Sequence, residues 1–357
     1  MLEARPTESK TPGRPAQTRQ PAVLVTGAGG EMGHGLIRAL AESSEQLSIV
    51  GLDLRPATDE IADCCSETLA GDVRDQSLLD GLARRYHFTQ VYHLAALLST
   101  SAEQAPIQAF EVNLGGTMNL LRLAIETRDQ TGVTPQVLFP STIAVYGVPT
   151  LEAKLAAGSV AEHECLDPRT MYGCNKLSAE HLGRYFTLHH RQLQPGDPGS
   201  VDFRAIRFPG IISADTIPTG GTTDYGPQML HAAAQDKPYQ CFVRPDSRLP
   251  FMTMPEAIEA MLSLAAAERS SLTRTAYNVR SFAPTAAELA ETIGERFPAL
   301  EVGFEPHPGR QMIVDGWPAD VDDRAAASDW GWSARHTLET ALDEYLIPGL
   351  RRHYGRT

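Results

Sequence analysis

The chain has 357 residues, 42% of them hydrophobic and 21% charged, a balance that fits one or two closely joined globular domains. A formal net charge of −13 disfavours nucleic acid and anionic membrane as partners, and no apolar run reaches the roughly 18–20 residues of a bilayer span. The cysteines (Cys64, Cys65, Cys165, Cys174, Cys241) show neither zinc-ligand spacing nor a disulfide framework, so a reducing compartment is expected and a metal-dependent enzyme is disfavoured.

Residues 1–20 lack the apolar core of a secretory signal and read as a disordered tail, with a cytoplasmic location. Arg5, Arg14 and Arg19 keep a mitochondrial transit peptide open as the alternative. A short β-rich strand at 22–26 then runs into glycines, and 31–43 carries helical periodicity through Met32, Leu36, Ile37 and Leu40. Further strands are predicted at 47–52, 67–70, 91–94, 136–139 and 201–207, with helices over 76–86, 103–127 and 170–190. This alternation predicts an α/β fold with a doubly wound parallel sheet over 21–210. Beyond residue 210 the alternation loosens. A Gly/Thr-rich segment at 213–226 precedes shorter elements, Thr285 and Glu288 form a capping box, and 336–354 reads as a terminal helix. The region 211–357 is therefore expected to be mainly a smaller lobe, packed on the sheet and enclosing a ligand.

The turn after the first strand holds Gly27, Gly30 and Gly33, which let backbone N–H groups approach a pyrophosphate at a helix N-terminus. Asp53 ends the second strand, where a carboxylate accepts hydrogen bonds from an adenosine ribose and repels a 2′-phosphate, favouring NAD over NADP. Bland readings stand beside these: a tight turn for the glycines and a loop cap for Asp53. Tyr172 and Lys176 lie four apart on one helix face. A free phenol titrates near pKa 10, and a neighbouring ammonium with a cationic nicotinamide would favour the phenolate as a base. Either Thr142 or Ser141, after the fifth strand, offers a hydroxyl for the reacting oxygen; ordinary turn chemistry is the competing account. His93 reads as a satisfied core histidine rather than a catalytic one.

Together TGAGGEMG, GDVRD at 71–75, HLAA at 93–96, STIAVYG at 141–147 and YGCNK resemble the extended short-chain dehydrogenase/reductase family over roughly 22–350. The resemblance implies a Rossmann fold and catalytic Thr142, Tyr172 and Lys176. It implies NAD contacts from Gly27, Gly30, Glu31, Met32, Gly33, Asp53, Asp72, Val73, Leu94, Ala95, Ala96, Tyr172, Lys176 and Ile211. It also implies a homodimer through the helices at 103–127 and 170–190.

The second half narrows the resemblance. RFPGIIS at 207–213, GGTTDY at 220–225, RLPFMTM at 248–254 and DGWP at 315–318 are similar to the short-chain-type, metal-independent L-threonine 3-dehydrogenases, as is the stretch ending in Ser99. A small amino-acid substrate would then meet Ser99, Ser141, Thr142, Tyr172, Thr222, Thr223 and Asp224. Gly220 and Gly221 would give their loop the mobility of a lid, and Trp317 would wall off water. Nucleotide-sugar epimerases or dehydratases share the first half, but often carry Arg-Asp-aromatic where this chain has Arg248, Leu249, Pro250 and Phe251. A non-catalytic NAD-sensing regulator is the third reading, because fold alone does not fix function.

Overall fold

The computed structural model describes residues 19–355 apart from 45, 197 and 219. The tail reading falls almost wholly on 1–18, outside the described residues; Gln20 already belongs to the first strand.

Seven parallel strands form the main sheet: β1 (Gln20–Thr26), β2 (Ile49–Asp53), β3 (Glu67–Ala70), β4 (Tyr86–His93), β5 (Gln136–Thr142), β6 (Asp202–Phe208) and β7 (Ala276–Asn278). Their spatial order is β7-β6-β5-β4-β1-β2-β3. Strands β1, β2, β4, β5 and β6 bury apolar side chains on two faces, as Val23 and Leu24 of β1 do, because helices cover both sides. One face packs Leu24, Phe88, Val137 and Phe203 under Leu79, Leu82 and Leu120. The other packs Val23, Val25 and Leu138 under Leu36, Ile37, Met261 and Leu264. Strand order reverses between β1 and β4, and the crevice at the carboxyl ends of strands there is where open α/β sheets take ligands.

A third core lies outside the sheet. It unites Tyr225, Met229, Phe251, Leu289, Trp317 and Leu342 with Val145 and Tyr146 from the turn after β5. The boundary at 210/211 is therefore not clean: β7 returns to the sheet edge, and the helix Met254–Ala266 packs on the sheet beside the first helix.

The long helix expected over 103–127 is not continuous. It divides into Ser99–Gln104, Pro106–Phe110, a π turn Glu111–Gly115, and Gly116–Thr131. Pro106 has no N–H to continue the preceding turn, and Ala105 leaves helical geometry at φ −134°, ψ 66°. The π turn carries buried Asn113, whose amide exchanges two hydrogen bonds with the Leu97 backbone. Strand β4 starts at Tyr86, earlier than its apolar core suggests, because pairing with β1 extends back to Gln20 across an irregularity at Ala22/Val23. The terminal helix likewise contains a π segment, Ala341–Leu346, just ahead of Pro348.

Candidate active site

The glycine turn joins β1 to the helix α1 (Glu31–Ser43). Gly27 sits at φ +71°, and a Cβ there would lie 2.7 Å from the Ala95 nitrogen. At Gly33 a Cβ would come within 2.3 Å of the Gly27 carbonyl oxygen, so the helix can approach the strand only without one. The Asp53 carboxylate accepts from the Gly29 N–H at 2.9 Å and from the Arg55 N–H at 3.1 Å. Asp53 thus caps the loop at the mouth of the cradle. Asp72 pairs with Arg74 at 2.7 Å, and that guanidinium holds its carboxyl below the usual carboxylate range. Val73 is buried against Gly116, and Asn119 binds the Val73 carbonyl. Leu94, Ala95 and Ala96 follow β4 at the crevice, half-buried; Ala95 N–H donates to Thr26 Oγ1. Glu31 and Met32 open α1, and one Glu31 oxygen is buried without a partner. Ile211 lies half-buried on the short strand Gly210–Ile212, opposite Met252. These groups fit a dinucleotide along the crevice.

The helix α2 (Met171–Leu188) carries Tyr172 and Lys176, capped by Thr170 Oγ1 accepting from Gly173 N–H. Gly173 lets this helix press on the turn after β5, since a Cβ there would lie 2.0 Å from the Ala144 oxygen. The first turn of α2 is thereby set beside Thr142. Lys176 is buried, and its Nζ donates to the Pro140 carbonyl at 2.6 Å while lying 4.3 Å from the Phe139 ring centroid and 5.6 Å from that of Tyr172. Burial lowers Lys176 to about 7, opposed by the Glu180 carboxylate. The lowering expected for the Tyr172 phenol is not found in the protein alone. Burial pushes it above its ordinary value, since the buried phenolate would lose its hydration.

The two hydroxyls at the end of β5 part company. Ser141 is buried and donates to Glu180, whereas half-buried Thr142 accepts from Ala144 N–H and keeps its proton free to donate. Thr142 is the hydroxyl left for a substrate oxygen. His93 bridges Thr26 Oγ1 at 2.9 Å and Thr117 Oγ1 at 3.0 Å, and burial lowers it to about 3, as befits a neutral core histidine.

In the lobe, the segment 220–224 leads into the helix Tyr225–Ala234. It is pinned rather than loose: the Gly220 carbonyl accepts from Thr100 Oγ1 at 2.9 Å and from Arg310 Nη2 at 3.0 Å. Asp224 Oδ2 accepts from the N–H groups of Gly220 and Gly221, at 2.8 and 2.6 Å, so that oxygen is committed to the loop itself. Thr222 is buried and its hydroxyl reaches Ser99 Oγ at 3.5 Å; Thr223 is half-buried beside Gly210. Trp317 is buried in the lobe core that also borders Tyr172, with its indole N–H unpartnered. Thr100, Arg310, Asn113 and Glu180 escaped the sequence reading. Only Glu180 carried a local signal, standing one helical turn beyond Lys176.

Residues 23–279 match the NAD dependent epimerase/dehydratase family, and the chain belongs to it. The family is one of enzymes, and membership implies a nicotinamide cofactor for the cradle described above. The chain is 33% identical over 339 residues to the mitochondrial L-threonine 3-dehydrogenase of Bos taurus, covering 95% of this chain and 84% of that one. It superposes on the GalE-like L-threonine dehydrogenase from Cupriavidus necator, holo form, with a TM-score of 0.80 and 34% identity, over 92% of this chain and 99% of that chain. UDP-glucose 4-epimerase from Thermotoga maritima shares the fold at 18% identity, with a TM-score of 0.75 over 94% of this chain and 100% of that chain.

Proposed function

We propose that this enzyme oxidises L-threonine at its β-hydroxyl to 2-amino-3-oxobutanoate, using NAD⁺. The observation that carries the reading is that the helix bearing Tyr172 and Lys176 packs on the strand end that bears Thr142, through Lys176 on Pro140 and Gly173 on Ala144, in a fold whose glycine cradle is capped by Asp53. When bound, the dinucleotide supplies the hydride acceptor, so the β-carbon becomes a ketone and NADH is formed. Thr142 holds the substrate hydroxyl, and Tyr172 as phenolate takes its proton. Lys176 supplies the positive charge that favours phenolate and would help hold the nicotinamide ribose. A bound cationic nicotinamide would add to that charge and favour the Tyr172 phenolate further. Asp53 selects NAD because its carboxylate would repel a 2′-phosphate.

The substrate's ammonium and carboxylate find their partners among Ser99, Thr222, Thr223 and Asp224, with Trp317 excluding water from one side. Since one Asp224 oxygen is already bonded to the loop, its second oxygen is the one offered to the ammonium. Similarity to L-threonine dehydrogenases in both sequence and solved structure supports this substrate over a nucleotide sugar. The exposed apolar residues Ile107, Phe110, Tyr185 and Leu188, on helices that pack against each other, support pairing with a second copy.

The test is NADH formation from purified protein, NAD⁺ and L-threonine. Threonine-dependent absorbance that falls about 10²–10⁴-fold in Tyr172→Phe is expected, the range typical of general acid–base groups. Turnover of a UDP-sugar without any threonine-dependent NADH would overturn the reading, and dinucleotide binding with no turnover would point to a regulator instead. Light scattering checks the dimer, which Ile107→Glu with Phe110→Glu should split.

A further inference from the structure

Three consecutive residues at the end of β5 meet α2. The Pro140 carbonyl takes the Lys176 ammonium, Ser141 donates to Glu180, and the Thr142 hydroxyl accepts from the Ala144 N–H in the turn that α2 packs on. Glu180 follows Lys176 by one helical turn, so the same helix face reaches the strand twice. Ser141 lies directly opposite Arg207 in the β5–β6 register. The Glu180 carboxylate joins both: it accepts from Ser141, and it takes Arg207 Nε at 3.0 Å and Nη2 at 2.6 Å. Arg207 and Glu180 side chains are only 4% and 5% exposed, and the guanidinium is completed by Tyr146 Oη at 2.9 Å and the Glu162 carbonyl at 2.7 Å. Tyr146 in turn donates to Asn278 at 2.6 Å, which ties the network to the edge strand β7.

We propose that Glu180 is a positioning residue for the catalytic pair, clamping α2 to β5 through Ser141 and Arg207 and keeping the Lys176 ammonium charged in its buried place. The inference rests on the Tyr172–Lys176 reading above and extends it to a residue that touches neither substrate nor cofactor.

The charges around Glu180 fix the sign. Arg207 faces it from β6, Ser141 from β5 and Lys176 from its own helix; Tyr146, Glu162 and Arg274 lie beyond Arg207, and neutral His93 approaches Lys176 from β4. Burial drives Lys176 toward the neutral amine, and Glu180 opposes it. Removing the carboxylate makes Lys176 release its proton at lower pH. The Tyr172 phenolate then loses its counter-charge and forms at higher pH.

The chain contains four lysines (Lys10, Lys154, Lys176, Lys237), so the Lys176 side chain is readily assigned in protein carrying ¹³C-labelled lysine. Its titration is followed by NMR, alongside the pH profile of kcat/KM with threonine. In Glu180→Gln the Lys176 midpoint should fall by about one pH unit, a roughly tenfold change in proton affinity, and the acid limb of the rate profile should rise. Glu180→Gln leaves Arg207 buried without its counter-charge and can fail to fold. Ser141→Ala, which removes one hydroxyl and keeps the ion pair, should show smaller shifts in the same directions. Folded variants whose Lys176 titration and acid limb superimpose on the parent's, whatever their kcat, overturn the inference; if Glu180→Gln does not fold, Ser141→Ala alone decides. Tyr172→Phe separates the two layers. Persisting threonine-dependent NADH in that variant removes the catalytic reading, whereas its loss beside unmoved titrations removes only the role of Glu180.

Discussion

The two sides of the crevice are built differently. On the sheet side, the groups that would hold a dinucleotide are backbone atoms and short side chains at strand ends, fixed by the parallel register and by glycines that admit no Cβ. On the lobe side, the segment 220–224 is held by single hydrogen bonds from distant elements, Thr100 before the first long crossover helix and Arg310 from the helix Pro308–Gly316. The first surface is ready-made. The second spends part of its own polarity on itself, as Asp224 does with one carboxylate oxygen. On the proposed reading, recognition of the cofactor and recognition of the substrate would fall to different kinds of structure.

The sheet side is broken hardest at Gly33. In Gly33→Ala the new Cβ meets backbone oxygens that cannot move aside, so a stability loss of about 1–3 kcal/mol is expected. Dinucleotide affinity should fall at least about tenfold, which fluorescence titration and a melting curve would register together. The same substitution should leave the lobe's arrangement intact; equal damage to both sides would mean the two surfaces are not independent.

A middle-sized effect is expected at Arg310. Arg310→Ala frees the Gly220 carbonyl and removes the guanidinium stacked 4.3 Å above the Phe242 ring centroid. The KM for threonine should rise severalfold while the KM for NAD⁺ holds. A rise in both, or in neither, would show that the loop is not a substrate-side element.

The smallest effect concerns His93 in the sheet core. Its folded value is held down to about 3 by burial and then by Lys176, below the ordinary 6.5. Below pH 6.5 the unfolded chain takes up a proton that the folded one refuses, so stability declines as pH falls from 6.5 toward 3. Denaturant unfolding across that window should show a shallower pH slope in His93→Gln than in the parent.

Much of the sheet side was legible because its signals are local. The glycine turn, Asp53 and the Tyr172–Lys176 spacing each lie within one or two elements, and the strand–helix alternation yields the parallel sheet, short of its edge strand Ala276–Asn278. The break at Pro106 was legible too, but helical periodicity on either side masked it. The lobe-side contacts were not: Thr100, Gly220 and Arg310 share no spacing, and only the folded chain brings them together.

What the sequence by itself determined was the class of fold, the family and the chemistry of the strand ends, since backbone geometry there depends on residue type at fixed short intervals. Tertiary structure alone decided which hydroxyl is free. Ser141 and Thr142 are neighbours in sequence with the same functional group, yet strand pleating turns one toward buried Glu180 and leaves the other half-buried, accepting from the Ala144 N–H. It also decided the charge of the site, because burial acts against both Tyr172 and Lys176, and burial is a property of the whole fold.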